Sequence, residues 1–162
     1  MMVTKLIQAV GISIVNNKVL VGDKLKGIAK NVVNFPGGNY EPGEDENLDA
    51  CLVRECKEEF GIEVTNSRKL GIVTFSFIGK PFEVELHIYR IDSYSGTPIN
   101  IEGQDIMNPR YEPINLELYS KMWAGDALWL PFVIENKMFK GTGLYENPKK
   151  LLEHNIHEVP SL

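Results

Sequence analysis

The chain has 162 residues, enough for one domain around one core. Apolar residues make up 43% and charged residues 24%, an ordinary composition for a globular protein in water. A net charge of −5 excludes a protein that grips nucleic acid through a broad basic surface, but it allows a small anionic ligand whose charge is cancelled locally.

In chain order, "LIQAVGISIV" and "KVLVGDK" flank Asn16-Asn17, which predicts a hairpin. The N-terminal stretch holds one lysine and no long apolar run, the pattern of a strand rather than a leader peptide. No segment approaches the roughly 18 apolar residues of a membrane span. "VVNFPGGNYEPGEDE" is a short strand entering a long loop. From Asn47 to Phe60 the period changes: Leu48, Leu52 and Cys56 fall on one helical face, and Gly61 stands where a helix C-cap belongs. "KLGIVTFSFIG" and "FEVELHIYRID" predict two strands joined around Gly79-Lys80-Pro81. "SGTPINIEGQDIMNPR" has the composition of a polar loop. "DALWLPFVIEN" predicts a second helix with Asp126 as its N-cap, although Pro131 is awkward in its interior. "KMFKGTGLYE" is a further strand. This order predicts an α+β fold, a mixed β-sheet sandwiched between helices, as a single domain over residues 1–162. Cys51 and Cys56 would point about 140° apart on a helix, so they suit neither a mutual bridge nor a zinc site. Reduced thiols and a cytoplasmic location are expected.

The run "RECKEEFG" raises the functional question. On a helix, Glu55, Glu58 and Glu59 share one face. Like charges at that spacing cost about 0.2–0.5 kcal/mol per pair, and the helix C-terminus disfavours anions. Two compensations are open. Solvent with Lys57 and Arg54 is the ordinary one. A divalent cation is the other, because convergent carboxylates make an all-oxygen site for Mg²⁺ or Mn²⁺. Gly37-Gly38 shortly before the helix favours the second, since glycines let backbone approach a ligand closely.

The glycine pair and "RECKEEFGI" resemble the Nudix box: Gly, five residues, Glu, seven residues, then Arg-Glu-U-x-Glu-Glu-x-Gly-U, with U aliphatic. Arg54, Glu55, Glu58, Glu59, Gly61 and Ile62 match its second half, and Cys56 stands at the first U. The loop is two residues longer than the pattern, so the first box glutamate is either Glu44 or Glu46. The resemblance implies a Nudix fold and metal-dependent hydrolysis of a nucleoside diphosphate linked to another moiety. Mg²⁺, with Mn²⁺ as a substitute, would be held by Glu55, Glu58, Glu59 and the carbonyl of Gly37. Arg54 would hold the glutamates in place. A general base would come from a later loop, as Glu102 or Asp105.

From about Val19 to Val159 the chain also resembles the MutT-type oxidised purine nucleoside triphosphate hydrolases, the 8-oxo-dGTP diphosphatases. The segments "VLVGDKLKG", "NFPGG", "GIVTFSFIGKP", "SGTP", "KMWAGDALWLPF" and "KMFKGTG" carry this likeness. It implies that Asn34 contacts the base edge, Trp123 stacks on the base, and Phe75 and Phe77 line the pocket. Met107 would be a pocket methionine, and Lys24 would sit at the mouth. Asp126 would read the base, and Gly125 stands where the family has a second aspartate. The same alignment favours Asp105 as the catalytic acid–base residue. Phe75, Phe77, Trp123, Asn34 and Asp126 each also have an ordinary use in a core, turn or cap, and Glu102 and Asp105 have one as solvated loop acids. The implied activity is hydrolysis of oxidised purine nucleoside triphosphates to monophosphate and pyrophosphate, with a small nucleotide as partner. The rivals are a Nudix hydrolase for ADP-ribose or ordinary nucleoside triphosphates, and a non-catalytic nucleotide-binding module.

Overall fold

The structure is a computed structural model that describes residues 2–162. Its frame is a six-stranded mixed sheet, in the order β10-β9-β6-β7-β1-β5. β1 (Thr4–Ile12) runs parallel to β7 (Phe82–Ser95), and β6 (Glu63–Phe77) runs parallel to β9 (Phe139–Asn147). β6 and β7 form a long antiparallel hairpin, and β10 (Lys150–Glu158) closes the far edge against β9. The near edge is β5 (Gly37–Asn39), which pairs antiparallel with Gln8–Val10 of β1. A second, smaller sheet is built on β3 (Lys18–Lys24), which pairs with β2 (Ile14–Val15), β4 (Val33–Asn34) and β8 (Ile106–Pro113).

The period-2 alternation of the strands divides the core in two. Ala9, Leu20, Tyr89 and Ile91 face α1 (Leu48–Phe60), where Cys51, Leu52, Cys56 and Phe60 are fully buried. Val10, Val19, Val21 and Ile88 turn the other way, toward α2 (Leu116–Ser120) and α3 (Asp126–Ile134). The sheets therefore lie between helices, as the order of elements predicts. Both cysteines are buried and free. Among the described residues no helix is long and apolar enough to cross a membrane.

Local chemistry explains most boundaries. Asn16 and Asn17 both take positive φ, 52° and 59°, as a two-residue hairpin turn requires. Asn47 caps α1, its side chain accepting from the Ala50 N–H at 2.9 Å. Gly61 ends the helix at φ 68° with its N–H on the Lys57 carbonyl. A Cβ there would sit 3.1 Å from Ile99 as well as in left-handed backbone. Gly61→Ala is thus expected to cost about 1–2 kcal/mol in urea unfolding; an unchanged midpoint would show that the cap relaxes freely.

Two expectations need correction, and two elements are new. The polar stretch after Ser95 is only partly loop: from Ile106 it pairs along β3 as β8. A short helix, α2, and the last strand, β10, were not foreseen. Gly125, not Asp126, is the N-cap of α3; Asp126 is its first helical residue and makes no capping bond. Its carboxylate is instead buried in the wall of a cleft, 5% exposed.

Candidate active site

A cleft of about 430 Å³ opens between the two sheets. β1 and β7 supply one wall through Leu6, Gln8, Phe82 and Leu86, the residues whose alternation points away from α1. Aromatic rings form the other. Tyr145 lies 4.9 Å from Trp123 and 5.1 Å from Phe75, centroid to centroid, and 5.8 Å from Phe77. Phe75 belongs to the core and to the cleft lining at once. Asn34 and Asp126 bring polar groups to this apolar chamber. The Asn34 side-chain oxygen already accepts the Phe35 N–H at 2.9 Å, which leaves its amide hydrogens for a ligand. Burial pushes the Asp126 carboxyl up to about 8.

The cleft mouth is charged. Lys24, Lys26 and Asp105 line it, with Lys26 and Asp105 3.4 Å apart. Gly37 and Gly38 lie on its floor. Met107 does not join these residues: it is 39% exposed and outside the lining. Glu102 also lies outside, on an exposed turn.

Beside the glycines stands the acidic face of α1. The Glu59 Oε1 accepts the Gly37 N–H at 2.8 Å, and Glu59 is 6% exposed. Burial pushes its carboxyl up to about 8; the Gly37 hydrogen bond and Lys24 oppose this, while Glu55 and Asp105 add to it. Glu55 packs against Gly38 so closely that a Cβ there would fall 2.5 Å from its carboxyl carbon. Burial raises the Glu55 carboxyl too, against Arg54, with Glu58 and Asp45 adding. Glu58 is nearly half exposed and turned to Arg54 at 3.1 Å.

Arg54 organises this face. It makes five hydrogen bonds: two to Asp45, at 2.7 and 2.9 Å, and one each to Glu55, Glu58 and the Asn39 carbonyl. Every guanidinium donor is used, so the side chain is a strut. The acid that locks it is neither Glu44, 3.9 Å away and exposed, nor Glu46, also exposed, but Asp45, which is 4% exposed. Asp45 also accepts the Glu41 N–H at 2.9 Å, so the extra length of the loop is coiled into a turn that delivers this carboxylate.

The Arg54 hydrogen bonds hold the Asp45 carboxyl down at about 2, from an ordinary 3.8. Between those values the unfolded chain binds the proton and the folded chain does not, so lowering the pH favours unfolding. The stabilisation is fully present above about pH 4 and lost as pH falls through about 2. The melting temperature of the wild type is expected to fall more steeply over that window than that of Asp45→Asn. Parallel curves would remove Asp45 from the acid lability.

The donor set of this face has the chemistry of a divalent-cation site. Glu55, Glu58 and Glu59 offer only oxygen, the chemistry of Mg²⁺, Mn²⁺ or Ca²⁺ rather than of soft metals. Glu55 and Glu59 are raised toward neutrality by burial and by neighbouring carboxylates, Glu58 and Asp45 on Glu55 and Glu55 on Glu59, which a cation would relieve. Among the described residues, however, no three acidic, His or Cys side chains converge into a ready metal cluster. One Arg54 nitrogen holds both Glu55 and Glu58. The chemistry fits a cation; the carboxylates are gathered by the arginine.

A sheet packed between helices, with an acidic helix set against a glycine edge strand, has a counterpart among known proteins: the family model of the NUDIX domain matches residues 5–132. The chain belongs to the Nudix family and is a hydrolase of that class. It is 34% identical over 145 residues to the oxidized purine nucleoside triphosphate hydrolase of Danio rerio, covering 90% of each chain. To the protein of the same name from Mus musculus it is 29% identical over 144 residues, covering 89% of each. Among solved structures, the MutT protein from Bacillus halodurans shares the fold with a TM-score of 0.78 at 22% identity, over 93% of this chain and 97% of that one. Hydrolases of this family generally work with divalent metal ions.

Asp45, Tyr145 and Trp129 were missed by the sequence reading. Only the length of the "GEDEN" loop hinted at Asp45, and nothing in the sequence separated it from its acidic neighbours.

Proposed function

We propose that the chain hydrolyses oxidised purine nucleoside triphosphates to the monophosphate and pyrophosphate, with Mg²⁺, as a cytoplasmic guard of the nucleotide pool. The observation that carries this reading is one continuous cleft with an aromatic chamber at one end and the Gly37–Gly38 edge beside Glu59 at the other. Its volume of about 430 Å³ suits a small-molecule ligand. The names of the zebrafish and mouse relatives support the same substrate class.

In this reading Trp123 stacks on the base, Phe75 and Phe77 line the pocket, and Asn34 and Asp126 hydrogen-bond the base edge. Lys24 and Lys26 draw the phosphates to the mouth by charge. Glu55 and Glu59, with the Gly37 carbonyl, would hold the cation, and Glu58 would orient water beside them. When bound, the cation supplies positive charge against the phosphate oxygens and acidity to water. Asp105 accepts the proton of the attacking water; its charge is felt at Glu59 and it lines the cleft, whereas Glu102 does neither. A new oxygen–phosphorus bond forms, the bond to pyrophosphate breaks, and Arg54 keeps the carboxylates from swinging apart.

The test is a turnover panel with Mg²⁺ on 8-oxo-dGTP, 2-hydroxy-dATP, dGTP, dATP and ADP-ribose, scoring pyrophosphate and phosphate. A clear preference for an oxidised purine is expected. Activity on ADP-ribose alone would refute the base-pocket assignment, and tight nucleotide binding without turnover would make the chain a binding module.

A further inference from the structure

Three polar groups that line the cleft are not fully used by the fold. The Tyr145 hydroxyl accepts the Gly125 N–H at 2.7 Å, and among the described residues no hydrogen bond uses its own proton. The Trp129 Nε1 and the Asp126 Oδ2 are buried without a well-formed hydrogen bond, the indole N–H lying near enough to the Asp126 carboxyl to favour its charged form. Tyr145, Trp129 and Asp126 are 2%, 0% and 5% exposed, and all three line the cavity. Buried polar groups left unpaired are costly, so a set of them facing one chamber describes the edge of a missing ligand.

The set has a definite sense. An indole N–H only donates, and a hydroxyl whose oxygen already accepts has its proton left to give. Two donors therefore flank one carboxyl. The N-terminus of α3, capped by Gly125 without any side chain, adds positive potential on the same side. The Tyr145 hydroxyl is also rigidly placed. Trp123, Phe75 and Phe77 pack its ring, and the Gly125 N–H pins its oxygen. Gly125 makes this possible: a Cβ at that position would stand 2.5 Å from the hydroxyl oxygen.

We propose that the Tyr145 hydroxyl, positioned by Gly125, is a specificity-determining group that selects a purine bearing a carbonyl oxygen at C6 over one bearing an amino group there. The inference rests on reading the chamber as the base pocket. A 6-oxopurine presents an acceptor oxygen beside a ring N–H. The oxygen accepts from Tyr145, and the ring N–H donates to Asp126, whose carboxyl the Trp129 N–H holds from its other side. A 6-aminopurine reverses both, setting an amino group against the Tyr145 donor. The raised carboxyl of Asp126 lets it serve in a dry pocket without carrying a buried charge.

The test is metal-free binding of dGMP and dAMP, by calorimetry, to the wild type and to Tyr145→Phe, which keeps the packed ring. The wild type is expected to bind dGMP more tightly. The variant is expected to lose about tenfold for dGMP, the worth of one hydrogen bond in a buried site, with dAMP changed less than about twofold. If Tyr145 serves only to hold Gly125, both nucleotides weaken alike; that result, no change, or a wild-type preference for dAMP overturns the proposal. Should the variant fold poorly, the wild type alone decides: dIMP must bind more tightly than the 2-aminopurine deoxyribonucleoside monophosphate. Binding of 6-oxopurines without turnover of any triphosphate would remove the proposed activity and keep this inference. Turnover with an unshifted dGMP-to-dAMP ratio in the variant would do the reverse.

Discussion

Glu59→Gln is expected to lower turnover by at least about a hundredfold, since even a supporting group of a metal site costs about 10–100-fold. The side chain sits between the Gly37 N–H and the charges of Glu55 and Lys24, at 6% exposure. Glutamine has the same shape and its carbonyl can still accept from Gly37, so packing is kept and the negative charge alone is lost. The fold should not suffer. Burial has pushed the Glu59 carboxyl up to about 8, so the charged form is disfavoured in the native state. Removing the charge is therefore expected to leave the melting temperature equal to or above that of the wild type. A stable variant without turnover identifies Glu59 as a group kept for chemistry at a cost in stability. Near wild-type turnover would remove it from the site.

The second large effect is expected at Asp45. Asp45→Ala should cost about 3 kcal/mol of stability, the lower end for breaking a buried ion pair, because Arg54 keeps some contact with solvent. It should also lower turnover, because Arg54 is the common anchor of Glu55 and Glu58. Urea unfolding and steady-state kinetics on the same variant read the two effects. The cycle with Arg54→Ala checks that they share a cause: the double variant should be little worse than either single one. Full additivity would mean that the two residues act independently. Glu44→Ala and Glu46→Ala, by contrast, should be nearly silent, for both side chains are exposed.

The acidic helix shows where sequence reading succeeds. Its period, its Asn47 cap and its Gly61 stop are local properties, decided within a few residues along the chain. The hairpin at Asn16-Asn17 and the β6–β7 pair are equally local. Family membership was also legible, because a box of fixed spacing on one helix survives as a string of residues.

What failed to show in the sequence depends on distance in space. Asp45, Glu44 and Glu46 are chemically alike and adjacent, and only the turn closed by the Glu41 N–H decides which of them is buried against Arg54. Met107 falls outside the cleft because the register of β8 on β3 pairs it with Asp23 at an exposed edge. Asp126 looked like a cap and became a buried wall residue because α3 begins where β9 brings Tyr145 beneath it. The sequence by itself determined α1, α3, most of the strands, the acidic face and the family, since propensity, capping and spacing act along the chain. The tertiary structure alone decided which acid locks the arginine and which polar groups remain unpaired in the cleft, since burial and hydrogen-bond partnership arise only when distant strands are packed together.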